Sequence, residues 1–92
     1  MNDTENIRWW SSDGTVSADL IISEKGAAIY VFNSFYPGIG NARKALKELK
    51  RQYGVLTAHE VGQPTDPQWK FWMKMKNEGI ISEMYDSHGN KV

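Results

Sequence analysis

The chain has 92 residues, with eleven Lys and Arg balanced by eleven Asp and Glu, four Trp, four Tyr, three Phe and no Cys. That length holds a single domain burying roughly 60 to 65 per cent of its unfolded surface, too small for a multi-layer enzyme. Zero cysteine excludes disulfides, thiolate metal sites and cysteine nucleophiles, and 40% hydrophobic with 24% charged residues is the composition of a globular chain rather than a disordered one.

The longest apolar run, Ala27 to Phe32, falls far short of the roughly 20 residues of a membrane span, and Met1 to Asn6 is too polar for a signal peptide. The expectation is a soluble, cytoplasmic domain over 1–92, with no membrane association and a polar tail from about residue 86. Neutrality conceals an uneven distribution. Residues 1–40 carry Arg8 and Lys25 against Asp3, Glu5, Asp13, Asp19 and Glu24, a balance of −3. Residues 41–76 carry Arg43, Lys44, Lys47, Lys50, Arg51, Lys70, Lys74 and Lys76 against Glu48, Glu60 and Asp66, a balance of +5, and the last sixteen residues return −2. A basic middle favours an anionic ligand or an acidic protein surface, and is equally the pattern of a solvated helix face.

In chain order, Ile7 to Trp10 reads as a short strand ending at the turn residues Ser11-Ser12-Asp13-Gly14. Val16, Ala18, Leu20 and Ile22 then alternate as one buried face of a second strand. After the Glu24-Lys25-Gly26 turn, Ala27 to Phe32 is apolar on both parities, which predicts a central strand covered on both faces. Ala42, Ala45, Leu46, Leu49 and Tyr53 recur at helical spacing, with Gly54 placed for a left-handed cap. Val55 to Val61 reads as another buried strand. Asp66-Pro67 supplies an N-cap and a first-position proline for a helix running to about Asn77. Trp69, Trp72 and Met73 are expected in its core face, and Ile80 to Tyr85 forms a last short strand. The fold expected is α+β, a mixed and mainly antiparallel sheet in the order β-β-β-α-β-α(-β), with a parallel pair flanking the first helix.

Pro37-Gly38-Ile39-Gly40-Asn41-Ala42 lies between a buried strand and a basic helix. Glycines let successive N–H groups approach a ligand, and the first helical turn adds unpaired N–H groups and partial positive charge, so a phosphate would be stabilised there. A plain strand-to-helix turn is the alternative reading of the same residues. The order of elements and the loop Phe35-Tyr36-Pro37-Gly38-Ile39-Gly40 together resemble the GNAT superfamily of acyl-coenzyme A dependent N-acyltransferases, over roughly residues 15–80. In that family an Arg/Gln-x-x-Gly-x-Gly/Ala loop and the following helix hold the coenzyme A pyrophosphate. Gly38, Ile39, Gly40 and Ala42 stand on matching positions, and Phe71-Trp72-Met73-Lys74 is similar to the family's aromatic-Tyr-x-Lys pattern.

The resemblance implies a GNAT-like domain binding coenzyme A or acetyl-CoA through Pro37, Gly38, Ile39, Gly40, Asn41, Ala42 and Arg43. The backbone of Tyr30 to Phe32 would pair with the pantetheine arm in the wedge between the two parallel strands, and the chemistry would be N-acyl transfer. Phe35 stands where the family usually has Arg or Gln, Arg43 where a Leu is common, and Trp72 in place of the tyrosine that protonates the departing thiolate; an indole has no such acidity. Ninety-two residues also leave no room for the two acceptor-side helices of the family.

For a general base, His59 and Glu60 form the only His–carboxylate pair after the first helix, and strand alternation would send their side chains to opposite faces. Each also reads as an ordinary surface residue. His88 falls in the polar tail and is expected to be mobile. Two distant histidines with no helical i, i+4 pair predict no metal site. Trp9 and Trp10 must face opposite ways in a strand, so that an exposed one would favour a protein partner. The alternative function is therefore a non-catalytic protein-interaction or inhibitor module using Trp9 or Trp10 with the basic residues Lys44, Lys47 and Arg51. Nucleic acid is not the expected partner, because Glu48 interrupts that basic face and no recognition module is present.

Overall fold

The computed structural model describes residues 4–35 and 40–92. Strand β1 (Glu5–Trp10) turns into β2 (Val16–Ser23), which returns as β3 (Gly26–Ser34). Helix α1 (Asn41–Tyr53), β4 (Leu56–Ala58), α2 (Pro67–Asn77) and β5 (Glu83–Met84) follow. The strands form one mixed sheet in chain order, antiparallel across β1, β2 and β3 and parallel across β3, β4 and β5. The chain is a small mixed α+β domain. The parallel pair around α1 lies where the pattern of elements puts it, and α2 creates a second one.

Right-handed crossovers between neighbouring parallel strands place both helices on the same side of the sheet. Arg43 near the start of α1 pairs with Glu78 at the end of α2 and joins the two helices. The core lies between helices and sheet. Val16, Ala18 and Leu20 of β2 face it, as the alternation requires, together with Ala27 and Ile29 of β3 and Ala45, Leu46 and Leu49 of α1. Leu56, Met75, Ile81 and Met84 complete it.

Polar side chains fix the joints. Asp13 Oδ1 accepts hydrogen bonds from Thr15 Oγ1 and N–H and from Ser11 Oγ, which stiffens the β1–β2 turn and holds its carboxyl down at about 2. The Glu48 carboxylate of α1 accepts the Ser12 N–H at 2.9 Å, so the one acid that interrupts the basic face docks the helix onto this hairpin. Gly26 has a φ of 136° and its missing Cβ would collide with the Val55 carbonyl; only glycine lets β3 start that close to the chain entering β4.

Several expectations from the sequence are corrected. β3 is not covered on both faces: Tyr30 and Val31 are 36% and 41% exposed, because both helices use the other side. Val55 to Val61 is not a seven-residue strand; β4 stops at Ala58, Val55 is exposed, and Glu60 adopts a left-handed φ of 57° that ends the pleat. Gly54 closes α1 with ψ of −81°, outside the left-handed helical region, while its N–H still donates to the Lys50 carbonyl. Asp66 precedes α2 but its carboxylate accepts the Gln63 N–H rather than a helical one. Trp72 is in the core, but Trp69 and Met73 are only partly buried and Met75 takes the remaining place. The tail around His88 is folded back: Asp86 accepts the His88 and Asn90 N–H groups, Tyr85 bridges to Lys91, and the Val92 N–H reaches the Met84 carbonyl.

Candidate functional site

The pairing of β3 with β4 is brief. Ala27, Ala28 and Ile29 lie beside Leu56, Thr57 and Ala58, and the His59 N–H donates to the Ile29 carbonyl at 2.8 Å. Beyond that bond no backbone hydrogen bond joins the two chains among the described residues. At the same point β3 carries a bulge. Leu20 of β2 is in register with Ile29 and Asp19 with Val31, leaving Tyr30 as the extra residue. The Phe35 N–H donates to the Thr15 carbonyl, so by antiparallel alternation Val31 and Asn33 also bond towards β2. The main-chain groups of Phe32 and Ser34 then face the opening between β3 and β4.

That opening is a cleft of about 370 Å³. Phe32, Phe71 and Trp72 form an aromatic wall, with Phe32 and Trp72 edge to face at 5.2 Å. Tyr30, His59, Glu60 and Gln68 supply its polar atoms. A second cleft of about 400 Å³ lies at the start of α1, lined by Gly40, Asn41, Ala42, Arg43, Lys74 and Met75. Ser34, Ala42 and Phe71 line both. The two clefts therefore adjoin, and together they form a trough that extends from the N-terminus of α1, past the free edge of β3, to His59, with Ser34, Ala42 and Phe71 at their boundary. Gly40, with φ of 77°, precedes the helix and provides no side-chain cap for its first N–H groups. The buried Ser34 Oγ has no hydrogen-bond partner among the described residues, an arrangement that is costly unless something else supplies one.

His59 is packed between two rings, with Tyr30 stacked on one face at 4.5 Å and Tyr85 on the other at 4.7 Å. Its Nε2 lies 3.0 Å from Thr57 Oγ1. Burial pushes the imidazole below its ordinary value, partly opposed by the Glu60 carboxylate. The ring is thus neutral at pH 7 and able to accept a proton. Glu60 lines the same cleft as His59. Strand alternation does not separate the pair, because both follow the end of β4 and Glu60 has left the extended conformation.

Of the residues singled out in the sequence, Tyr30, Phe32, His59 and Glu60 meet in the first cleft, and Gly40, Asn41, Ala42 and Arg43 in the second. Pro37, Gly38 and Ile39 lie outside the described residues. Arg43 is engaged by Glu78. Trp9 is buried, its indole N–H donating to Gln52, whereas Trp10 is 52% exposed and stacks on Phe35. Lys47 and Arg51 project from α1 into solvent, and Lys44 lies 3.9 Å from Asp13. Among the described residues no cluster of three His, Asp or Glu side chains could hold a metal ion, and no helix is long and apolar enough to cross a membrane.

Sequence reasoning missed Ser34, Thr57, Gln68 and Tyr85. Thr57 was accessible in principle, two residues from His59 on one strand face; Tyr85 and Gln68 reach the site only through the sheet order and the α2 crossover. Fold and site define a class, a two-helix α+β domain with a cleft where parallel strands part. No family model, no curated protein and no solved structure matches the chain.

Proposed function

We propose that the trough binds coenzyme A or an acyl-CoA and that the domain is GNAT-like, an N-acetyltransferase where an amine acceptor is presented. The observation that carries this reading is the adjacency of the two clefts. It offers anion-binding helical N–H groups at one end, an unpaired strand edge in the middle and a neutral imidazole at the other. A pantetheine arm is an extended chain with two amides, and it would lie along β3 as an added strand, bonding the main chain of Phe32 and Ser34. Ser34 Oγ would gain its missing partner. The diphosphate would sit at Gly40 to Ala42, next to Lys74.

In the reaction, the amine nitrogen attacks the thioester carbonyl, the C–S bond breaks and coenzyme A leaves as its thiolate. The amine proton goes to His59, with Glu60 favouring the imidazolium that forms. Trp72 supplies no acid, so a thiolate leaving group is the form this site would release. Positioning of the two reactants is the main contribution the trough could make.

Calorimetric titration with coenzyme A and acetyl-CoA tests the reading, with amide shifts followed at Ser34, Gly40 and Ala42. Heat and shifts at these residues are expected, and Ser34→Ala should weaken binding by about tenfold, the equivalent of one hydrogen bond, without lowering stability. Absence of both heat and shifts sinks the cofactor assignment. Binding without turnover of amines would leave a non-catalytic cofactor-binding domain.

The exposure of Trp10 favours one second reading, a protein-interaction module in which Trp10, on the sheet face away from the helices, and the basic face of α1 are two separate contacts for an acidic partner. Charge reversal at Lys44, Lys47 and Arg51 should then abolish capture while the fold survives.

A further inference from the structure

The two edges of the sheet are finished differently. At β5 the chain covers its own edge, with Tyr85 bridged to Lys91 and the Val92 N–H bonded to the Met84 carbonyl at 2.9 Å. At the other edge β1 has β2 as its only neighbour, and nothing in the described chain lies outside it. The Ser11 N–H donates to the Val16 carbonyl, so the odd-numbered residues of β1 bond towards β2 and the N–H and C=O groups of Asn6, Arg8 and Trp10 point outwards. Edge strands are normally protected by proline, lysine, a bulge, shortness or a covering segment. β1 is six residues long with none of these, in unbroken register with β2. Its one cation, Arg8, is drawn sideways to Asp19 of β2. Ile7 is only half-buried at the rim of the core, and the molecule carries no net charge to keep copies apart.

We infer that β1 pairs antiparallel with β1 of a second copy across a two-fold axis, joining the sheets edge to edge. The sequence selects the register. To keep helix-bearing faces on the same side, even residues must oppose even ones and odd oppose odd. Ile7 on the axis meets Ile7 of the second copy, closing apolar surface over the open end of both cores, and sets Arg8 beside Asn6. Arg8 on the axis would instead place two like charges opposite each other, which is unfavourable. The arrangement is isologous and closes after two copies, so it does not propagate into fibres. It is independent of any ligand in the trough.

Sedimentation equilibrium from low micromolar to near-millimolar concentration tests it. The weight-average mass should rise from that of one chain towards that of two. Arg8→Pro removes an outward N–H that the fold does not use; it should leave the circular dichroism spectrum intact and the protein monomeric. Asn6→Glu places a carboxylate opposite Arg8 at both symmetry-related positions and should tighten association about threefold to tenfold, while Asn6→Lys weakens it by a similar factor. A chain that stays monomeric throughout overturns the inference, as does a dimer whose affinity is unmoved by all three substitutions.

Discussion

His59 shows how much of a residue's chemistry lies in its surroundings. In the sequence it is a histidine beside a glutamate, equally readable as a base or a surface residue. In the fold it has a tyrosine on each face, a threonine hydroxyl on Nε2 and a cleft beside it. The stack hinders hydration of the imidazolium, so the folded chain binds that proton less readily than the unfolded one. The sign for stability follows from linkage: the contribution is present above the unfolded value of about 6.5 and is lost as pH falls through the lower folded value, because the unfolded state takes up the proton first. NMR titration should give His59 a midpoint below the ordinary histidine value. Urea midpoints should fall between pH 7.5 and pH 5 by more in the wild type than in His59→Gln. Equal slopes would mean that His59 titrates as it does unfolded. The ring stack was not legible beforehand, because Tyr85 is 26 residues away in sequence and its ring arrives only through β5.

Elements with a local cause were readable. α1 announced itself by spacing, α2 by Asp66-Pro67, and the β1–β2 hairpin by Ser11 to Gly14. β4 was overestimated because an apolar, β-branched run from Val55 to Val61 has the composition of a strand whether or not a neighbour is present along its length. Its pairing ends where β3 bulges and the partner edge turns away, a non-local fact. What lets the β3–β4 ladder begin is the close approach at Gly26, whose Cβ position is occupied by the Val55 carbonyl. Gly26→Ala adds an unfavourable φ and forces that carbonyl aside. The expected loss is about 2 kcal/mol, measured by urea denaturation, with exchange of the Ala27 amide accelerated. An unchanged midpoint would show that β3 can move away from Val55 at no cost.

For the whole molecule, α1 is the element that unites the two halves of the sheet. Trp9 reaches it through Gln52, Ser12 through Glu48, and its buried face of Ala45, Leu46 and Leu49 covers the junction of the antiparallel and parallel strands. Leu46 is completely buried. Leu46→Ala should therefore cost about 2 to 5 kcal/mol, a large share of the roughly 5 to 15 kcal/mol available to a domain of this kind. The measurement is a single cooperative urea transition shifted to lower concentration; a loss below about 1 kcal/mol would mean the helix collapses freely into the gap. The charge asymmetry of the sequence has its counterpart here, since the basic residues gather on the outward side of α1 while Glu48 is withdrawn to the hairpin.

The bulge at Tyr30 has a consequence for how the chain tolerates change. One surplus residue puts Ile29 and Phe32, three positions apart, on the same side of the sheet, so β3 is written in two phases with the changeover at Tyr30. Loss of Tyr30 would restore a uniform phase and leave Phe32 opposite Ala18 on the core side, whereas loss of Asn33 or Ser34, taken up by closing the bulge, would turn Phe32 away from Phe71 while Ala27 and Ile29 kept their places in the core. A one-codon deletion after Phe32 would yield a folded domain without its aromatic wall, while deletion of Tyr30 would keep that wall. The first half of the strand answers to stability and the second to whatever occupies the trough, so the two can diverge independently.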